Sequence, residues 1–268
     1  MKVAAIQMVS GTDAAINLQV ALDFIALGAK EGCELLVLPE YFCLLGARDT
    51  DKLAIAEDAG SGRLQDALQQ AAKHHGIWIV AGTLPLKSTR ADRVFNSCLA
   101  YNPQGVQIAR YDKMHLFAFD NGTERYDEAR VLQAGSEPVA FDLPSRDGHV
   151  WRVGLSVCYD LRFPELYRAL QADLILIPSA FTHTTGQAHW ETLIKARAIE
   201  NLACVIAPAQ GGTHANGRQT WGHSMVVDGW GQVLAMREEG AGLVCADLDH
   251  AAMMQRRAQL PALKHRLL

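Results

Sequence analysis

The stretch VGLSVCYDLRFPELYR, Val153–Arg168, is decisive for the fold of this chain. It begins as an apolar, β-branched run, breaks at Cys158 and continues after Pro164 with helix-forming residues, which predicts a strand, a sharp turn and a helix. A thiol at such a turn lies at the carboxyl edge of a sheet, beside a helix N-terminus that favours the thiolate. Cys158 is therefore a candidate nucleophile. The alternative is a small core residue that ends a buried strand, as most free cysteines are.

Two other polar residues follow apolar strands in the same way. Glu40 comes directly after the predicted buried strand Leu35–Pro39, and Lys113 follows the predicted strand Val106–Tyr111. A desolvated carboxylate can serve as a general base near neutral pH, and a buried lysine can stabilise an oxyanion. The alternatives are a helix cap or salt-bridge partner for Glu40, and for Lys113 a side chain that extends from a strand end into solvent.

These three residues form one predicted site. Because parallel strands bring their carboxyl ends to one edge of a sheet, we expect Glu40, Lys113 and Cys158 to meet there. A thiol nucleophile, a carboxylate base and a cationic oxyanion stabiliser are the groups that acyl transfer needs, without histidine, metal or cofactor. The set therefore predicts an acyl-transfer enzyme that acts on a small molecule.

Hydrophobic periodicity elsewhere predicts an α/β protein that opens with the strand–helix–strand unit Val3–Met8, Ala14–Lys30 and Leu35–Pro39. Further helices are predicted over 62–75, 163–171, 190–201 and 249–259. Further strands are predicted over 77–83, 94–102, 106–111, 139–143, 150–157, 173–178, 203–207, 223–227, 232–236 and 242–247. Residues 116–135 are predicted as a functional loop without regular structure, and residues 179–189 as a segment that lines the pocket.

Length and charge limit the classes of function. The 268 residues contain no linker-like shift in composition, so we expect one domain, 1–268. The net charge of -4 provides no electrostatic reason for a nucleic-acid or anionic-membrane partner. The N-terminal segment 1–13 is too short and too polar for a signal peptide. Six cysteines are scattered singly without metal-ligand spacing, a pattern of a reducing compartment, so we expect a cytoplasmic protein with no structural metal.

The residues around the predicted site also carry a resemblance to a known family. LVLPEYF at 36–42, RYDKMHLF at 110–117 and SVCYDLRFPELYR at 156–168 resemble the three motifs of the nitrilase superfamily, the carbon-nitrogen hydrolases. The resemblance extends through PSAF, TTGQAHWETLIKARAIEN and GHSMVVDGWGQVLA, and so covers nearly the whole chain. It implies a four-layer α-β-β-α sandwich that pairs with a second subunit through its helical faces and its C-terminal tail, as a homodimer or higher oligomer.

The resemblance also implies a role for each site residue. Cys158 would attack the amide carbon and Glu40 would take its proton. Lys113 would stabilise the tetrahedral oxyanion together with the backbone N–H of Tyr159. A second glutamate orients substrate and lysine in this family, and the segment YDEARVLQAG places it at Glu128 rather than at Glu124.

Within the superfamily, CYDLRFPELYR, PSAFTHTTGQAHWE and APAQGG are most similar to the deaminated glutathione amidases, which release 2-oxoglutarate and cysteinylglycine. The alternative is the omega-amidase group, which acts on 2-oxoglutaramate. Either substrate carries a carboxylate, for which Arg162, Thr184 and Thr185 are candidate anchors. A structural role for Arg162, pairing with Glu165 or Asp160, is the alternative for that residue.

Other classes of function stay open at this point. A catalytically silent scaffold is disfavoured, because a buried charge cluster destabilises a protein that does not use it. A papain-like peptidase would need a His/Asn pair beside Cys158, for which His183 and Asn201 are the candidates. Nitrile hydrolysis lacks the usual tryptophan after the cysteine, and glutamine-dependent ammonia transfer lacks a synthetase domain.

Overall fold

The computed structural model describes residues 1–267, which form two β-sheets packed face to face with helices on both outer sides. From the N-terminus to Asp127 the elements are β1 (Lys2–Gln7), α1 (Ala14–Lys30), β2 (Leu35–Val37), α2 (Asp51–Ala54), α3 (Arg63–His75), β3 (Trp78–Val80), β4 (Leu84–Lys87), β5 (Val94–Tyr101), β6 (Gln107–Asp112), β7 (Ala118–Asp120) and β8 (Arg125–Asp127). The predicted α-β-β-α sandwich is confirmed.

The second half of the chain supplies the second sheet and its helices. Its elements are β9 (Ala140–Pro144), β10 (Val150–Leu155), α4 (Pro164–Leu170), β11 (Leu174–Leu176), α5 (His183–Asn201), β12 (Cys204–Ala207), β13 (Gly211–Thr213), β14 (Gln219–Trp221), β15 (Ser224–Val227), β16 (Val233–Arg237), β17 (Gly242–Asp247) and α6 (His250–Gln259). Short 3₁₀ turns cover Glu128–Arg130, Cys158–Arg162 and Ala262–Lys264.

The first sheet has seven strands in the order β17-β1-β2-β3-β5-β4, with β6 also paired to β5. The second has six strands in the order β16-β15-β12-β11-β10-β9. Strands β1, β2 and β3 run parallel to one another, and so do β10, β11 and β12. The hairpins β7–β8 and β13–β14 lie outside both sheets. Each sheet therefore has a parallel centre, whose strand ends can present side chains along one edge.

Successive side chains of β1 point to opposite faces of the sheet, which shows how the layers form. Val3 and Ala5 belong to the large core that also holds the apolar residues of the second sheet. Ala4 and Ile6, which point the other way, pack in a second core with side chains of α1 and α3 such as Leu18. Both faces of the strand are buried, which explains why its sequence is almost continuously apolar.

The sequence-based prediction missed α2, β4 and the hairpin β13–β14, and two of the regions that it did assign differ from the structure. Helix α5 begins at His183 rather than Trp190, because Thr182 caps it by accepting the N–H of Thr185. Its first turns contain Thr and Gly, which are weak helix formers, and Gly186 is required there because a Cβ would lie 2.2 Å from the Cβ of Trp221. The predicted loop 116–135 is partly regular, since it contains the hairpin β7–β8.

Within residues 1–267, no helix combines the length and apolar character needed to cross a bilayer.

Candidate active site

Cys158 lies at the turn that follows β10, where the chain leaves the second sheet. Its φ of 50° is in the left-handed region, which strains a non-glycine residue by about 1–3 kcal/mol. Two hydrogen bonds hold the turn: the N–H of Cys158 donates to the carbonyl of Pro178 at 2.9 Å, and the N–H of Val157 donates to Asp160 Oδ2 at 2.8 Å. The turn thereby directs the thiol into a cleft at the edge of the sheet.

Asp160 fastens this turn to the segment that carries Lys113. Its buried carboxylate accepts hydrogen bonds from the hydroxyl of Tyr111 at 2.7 Å and from the backbone N–H of His115 at 3.1 Å. It also contacts Nδ1 of the His115 ring at 2.7 Å. The His115 ring also stacks on Phe163 at 3.7 Å between centroids. The residues on either side of Lys113 are thus tied to the nucleophile turn, which fixes the position of one sheet relative to the other.

Glu40 follows β2 in the first sheet and is 1% exposed. Its Oε1 accepts Lys113 Nζ and Asn96 Nδ2, both at 2.9 Å, and its Oε2 accepts the N–H of Ala180 at 2.9 Å. The next residue, Tyr41, has a φ of 56° and donates its N–H to the Thr83 hydroxyl. Every oxygen of this buried carboxylate therefore has a donor, as a buried charge requires.

Lys113 connects Glu40 to Glu128. Its Nζ lies 3.0 Å from Glu128 Oε1 and 2.8 Å from Oε2, and the lysine side chain is 1% exposed. Burial disfavours the ammonium, but the charges of Glu128 and Glu40 outweigh it and raise the pKa of Lys113 above its ordinary value. Although burial acts to raise the pKa of Glu128, Lys113 and several hydrogen bonds lower it. Lysine and carboxylate thus remain a charged pair inside the protein.

The thiol of Cys158 completes the cluster. Burial, followed by the negative charge of Glu40, raises the pKa of this thiol well above its ordinary value, and a hydrogen bond with Glu40 acts in the same direction. At neutral pH the resting residue is therefore a neutral thiol beside a carboxylate that can accept its proton.

The cleft around the thiol encloses about 300 Å³ of empty space, its open mouth included. Glu40, Glu128 and Cys158 line it, together with Tyr159 and Thr185. The aromatic rings of three further residues also line the cleft, namely Tyr41, Phe117 and Phe181. Its size suits a small, elongated substrate rather than a polymer.

The expectation that the three strand ends share one sheet is wrong for Cys158. Strands β2 and β6 belong to the first sheet and end at the same edge, whereas β10 belongs to the second. The site forms where the matching edges of two packed sheets meet. Glu40, Lys113, Glu128 and Cys158 are nevertheless brought together, as predicted from the resemblance.

Comparison with known proteins agrees with this geometry. The family model described as carbon-nitrogen hydrolase matches residues 2–258. The chain belongs to the carbon-nitrogen hydrolase family. It is thus an enzyme of the class that hydrolyses carbon–nitrogen bonds.

Several relatives of this hydrolase are similar over nearly its full length. A deaminated glutathione amidase of Synechocystis sp. is 40% identical over 98% of this chain and 97% of its own. One from Yersinia enterocolitica is 37% identical over 98% of this chain and 92% of its own. The crystal structure of the C. elegans NitFhit protein superposes with a TM-score of 0.89 at 38% identity, over 99% of this chain. The hydrolase spans 65% of the length of that NitFhit chain.

The predicted carboxylate anchors fall in different places. Thr185 lines the cleft and exchanges a hydrogen bond with Thr182 at 2.8 Å. Thr184 is exposed and donates to Glu124 Oε2 at 2.9 Å, outside the cleft. Arg162 does not line the cleft but borders it, because its guanidinium lies over the rings of Tyr159 and Phe181, which do. Rather than pairing with Glu165 or Asp160, it contacts His189 Nδ1 at 3.3 Å. An anchoring role for Thr184 and Arg162 stays a prediction.

Sequence reasoning missed Arg218, which lines the cleft of the hydrolase beside Cys158. Arg218 follows the turn-forming pair Asn216-Gly217, a signal for a hairpin that could have marked residues 211–221 as more than a loop. Sequence alone contains no sign that this hairpin folds over the active site, 60 residues after the nucleophile.

The papain-like alternative is contradicted by the positions of its candidate residues. His183 and Asn201 stand at opposite ends of α5, separated by about 27 Å at 1.5 Å per residue. The amide of Asn201 donates to the carbonyl of Arg197 within the same helix. The two residues cannot both support Cys158 in this hydrolase.

Proposed function

We propose that this hydrolase cleaves the amide bond of deaminated glutathione and releases 2-oxoglutarate and cysteinylglycine. The full-length similarity to proteins named for that activity supports the substrate. The observation that carries the chemistry is the buried cluster in which Lys113 bridges Glu40 and Glu128 beside the thiol of Cys158. Burying such a cluster of charges destabilises a fold, so a protein that did not use the cluster would not be expected to retain it. Its presence therefore argues against a silent scaffold.

Acylation is the first half of the reaction. The Cys158 sulfur attacks the amide carbon while Glu40 accepts the thiol proton, and the carbonyl π electrons move onto oxygen. When the tetrahedral species collapses, the C–N bond breaks and Glu40 returns the proton to the departing amine. Cysteinylglycine leaves, and 2-oxoglutarate remains bound to Cys158 as a thioester.

Lys113 is suited to stabilise the oxyanion because its ammonium has three N–H donors. Glu40 and Glu128 each hold one of them, which leaves the third for the substrate oxygen. The backbone N–H of Tyr159, the residue after the nucleophile, is the second donor in this proposal. A fixed positive charge in a water-poor cleft stabilises a developing negative charge more strongly than water does.

Deacylation repeats the same proton transfers with water as the nucleophile. Glu40 accepts a proton from the water as its oxygen attacks the thioester carbon, and the C–S bond breaks to regenerate the Cys158 thiol. Glu128 acts as a positioning residue, since it binds Lys113 and also accepts the hydroxyl of Tyr41 at 2.8 Å and the N–H of Phe117 at 2.7 Å.

The test is a substrate panel measured with the wild-type enzyme and Cys158→Ala. It comprises deaminated glutathione, 2-oxoglutaramate and carbamoyl amines, with release of amine or ammonia as the readout. We expect the highest kcat/KM for deaminated glutathione and no turnover by the variant. Activity on 2-oxoglutaramate alone would instead assign the chain to the omega-amidases, and silence of the folded wild type on every amide would revive the scaffold alternative.

We also propose that the hydrolase is a homodimer or a higher homo-oligomer. Large apolar side chains are exposed on neighbouring elements around α6: Ile199, Trp230, Leu234, Met236, Met254 and Leu260. Burying such a patch against a second copy removes apolar surface from water. Light scattering coupled to size exclusion tests this: a species of twice 29.3 kDa or more is expected, and a monomer at micromolar concentration would contradict it.

Two further expectations are kept as proposals. Residues 1–268 are proposed as a single domain, because the inner faces of both sheets contribute to one core. A cytoplasmic location is proposed because all six cysteines are free thiols, including Cys33 and Cys245 with sulfurs 3.9 Å apart. Fractionation of the native host with an antibody tests the location.

A further inference from the structure

The β13–β14 hairpin holds Arg218 in a fixed position over the cleft. The side chain of His214 is 3% exposed and contacts the carbonyl of Ser10 at 2.8 Å and the hydroxyl of Thr220 at 2.7 Å. Asn216 donates to the carbonyl of Gly46 at 2.7 Å and accepts the N–H of Arg218 at 3.0 Å. Both sides of the hairpin tip are therefore tied to the first half of the chain.

Among residues 1–267, the guanidinium of Arg218 has no carboxylate partner within ion-pair distance. Within residues 1–267 it takes part in no ion pair of 4.0 Å or less, and its buried Nε has no hydrogen-bond partner. It lies over the ring of Tyr126, 4.9 Å from the centroid, and Tyr126 belongs to β8 in the segment that also carries Glu128. Stacking fixes the plane of the guanidinium and leaves its N–H donors available.

The other cationic groups near the cleft already have carboxylate partners. Lys113 is bound by two carboxylates, and Lys52 in the adjoining recess lies 4.0 Å from Asp49. Arg218 also lines that recess, together with Asp49, Asp127 and Glu128, but forms no ion pair with these three carboxylates. Among the described residues that line the cleft itself, Arg218 is the one arginine, and the ammonium of Lys113 is already bound by Glu40 and Glu128. A partly buried donor without an acceptor is unfavourable until a ligand supplies one.

We propose that Arg218 binds a carboxylate of the substrate and so makes the hydrolase selective for anionic amides. The inference rests on the proposed function, because it assigns a partner within the same cleft. The carboxylate is either that of the 2-oxo acid on the acyl side or that of the C-terminal glycine on the leaving side. A planar guanidinium can bind either one through two parallel hydrogen bonds.

The experiment compares four amides that carry different carboxylates. The two without the leaving-side carboxylate are primary amides that also lack cysteinylglycine, so each variant is compared with wild type on the same substrate. Deaminated glutathione has both, and 2-oxoglutaramate has only the acyl-side one. N-(4-oxopentanoyl)cysteinylglycine has only the leaving-side one, and 4-oxopentanamide has neither. For wild type and Arg218→Met, kcat/KM is measured on each, and Arg218→Lys tests whether charge without the planar fork is enough.

Loss of a hydrogen bond to a charged group should lower kcat/KM about 10- to 150-fold for each substrate whose carboxylate Arg218 binds. Activity on 4-oxopentanamide should change by less than about threefold. On the substrates whose carboxylate Arg218 binds, kcat/KM of Arg218→Lys should lie between the values of wild type and Arg218→Met. The single-carboxylate substrate that loses activity identifies which carboxylate is bound.

Arg256→Met is the matched control: Arg256 also lies over an aromatic ring, that of Trp230, but it pairs with Asp228 and does not line the cleft. It should leave the ratios between substrates unchanged.

Equal losses on all four amides would overturn the inference, because they would show a structural role, and so would the absence of any loss. A second readout separates this failure from failure of the proposed function. Calorimetry measures binding of 2-oxoglutarate and of cysteinylglycine to Cys158→Ala, with and without Arg218→Met. If no amide is hydrolysed, at least tenfold weaker binding of one product in the double variant would still support Arg218. Unchanged binding, or binding of neither product, would overturn it.

Discussion

Replacing Lys113 with methionine should damage stability and catalysis together, because Lys113 serves both. Methionine keeps the length of the side chain and removes the ammonium. Glu40 and Glu128 then lose the donor that lies 2.8–2.9 Å from each of them in the protein interior. Removing one partner of a buried ion pair destabilises a protein by about 3–5 kcal/mol, far more than loss of a surface pair.

The remaining contacts limit the damage. Glu40 keeps Asn96 and the N–H of Ala180, and Glu128 keeps Tyr41 and the N–H of Phe117. We therefore expect about 3–5 kcal/mol in total rather than twice that value. The loss of an oxyanion donor should lower kcat by about 10²- to 10³-fold.

The destabilisation should depend on pH. In the wild type, the pKa of Glu128 is lowered, so its contribution to stability is present above its unfolded pKa and is lost as pH falls through the folded value. Without Lys113, burial raises the folded pKa of Glu128, so the group stabilises the variant at low pH and ceases to do so as pH rises. The difference in unfolding free energy between wild type and variant should therefore shrink from pH 7 towards 4.5.

Urea denaturation at pH 7, 6 and 5 measures this difference, and steady-state kinetics on deaminated glutathione measures the rate. Lys87→Met is the control, because Lys87 pairs with Asp58 on the surface, where both side chains are more than half exposed. That pair should contribute less than about 1 kcal/mol. A Lys113→Met protein within 1 kcal/mol of wild type at pH 7, or a difference that widens on acidification, would refute the reasoning.

Three other substitutions test separate parts of the site. Cys158→Ala should retain a wild-type circular dichroism spectrum and lose turnover; appreciable activity would reject the thiol as the nucleophile. Tyr41→Phe removes a hydrogen bond that lowers the pKa of Glu128, so the acid limb of the pH profile of kcat/KM should move to higher pH. We also expect kcat to fall by up to about tenfold. An unchanged pH profile would show that the Tyr41 hydroxyl does not influence the pKa of Glu128. Asp160→Asn should destabilise the fold by about 2 kcal/mol or more in urea and reduce kcat, because the amide replaces an acceptor of the Tyr111 hydroxyl and the Val157 N–H; wild-type stability would show that Asp160 does not fasten the turn.

Local patterns were enough to find most of the reacting groups. Glu40, Lys113 and Cys158 each end an apolar run, and buried strands with polar ends are visible in sequence because burial demands apolar residues. Helix α1 is confirmed at the predicted bounds, Ala14–Lys30, because Asp13 caps it and its apolar spacing is regular. The pairing of Lys113 with Glu128 was expected only from family resemblance, since nothing local distinguishes Glu128 from Glu124.

The relative placement of the two sheets and the position of Arg218 depend on contacts between residues far apart in the chain, and the sequence did not predict them. The site joins two sheets whose relative placement is fixed by contacts such as Tyr111 with Asp160, 49 residues apart. Arg218 reaches the cleft because His214 and Asn216 tie its hairpin to residues near the N-terminus. Such contacts leave no periodic signal, so the sequence favoured Arg162, which is adjacent to the nucleophile in the chain but does not line the cleft.

In the proposed mechanism, Cys158 forms a covalent acyl intermediate inside the Glu40–Lys113–Glu128 cluster. Acid quenching during turnover of deaminated glutathione, followed by peptide mass spectrometry, tests it most directly. We predict a 2-oxoglutaryl group on the peptide that contains Cys158, and we expect both this group and all turnover to be absent in Cys158→Ala. An acyl group on another residue, or turnover that persists in the variant, would contradict it.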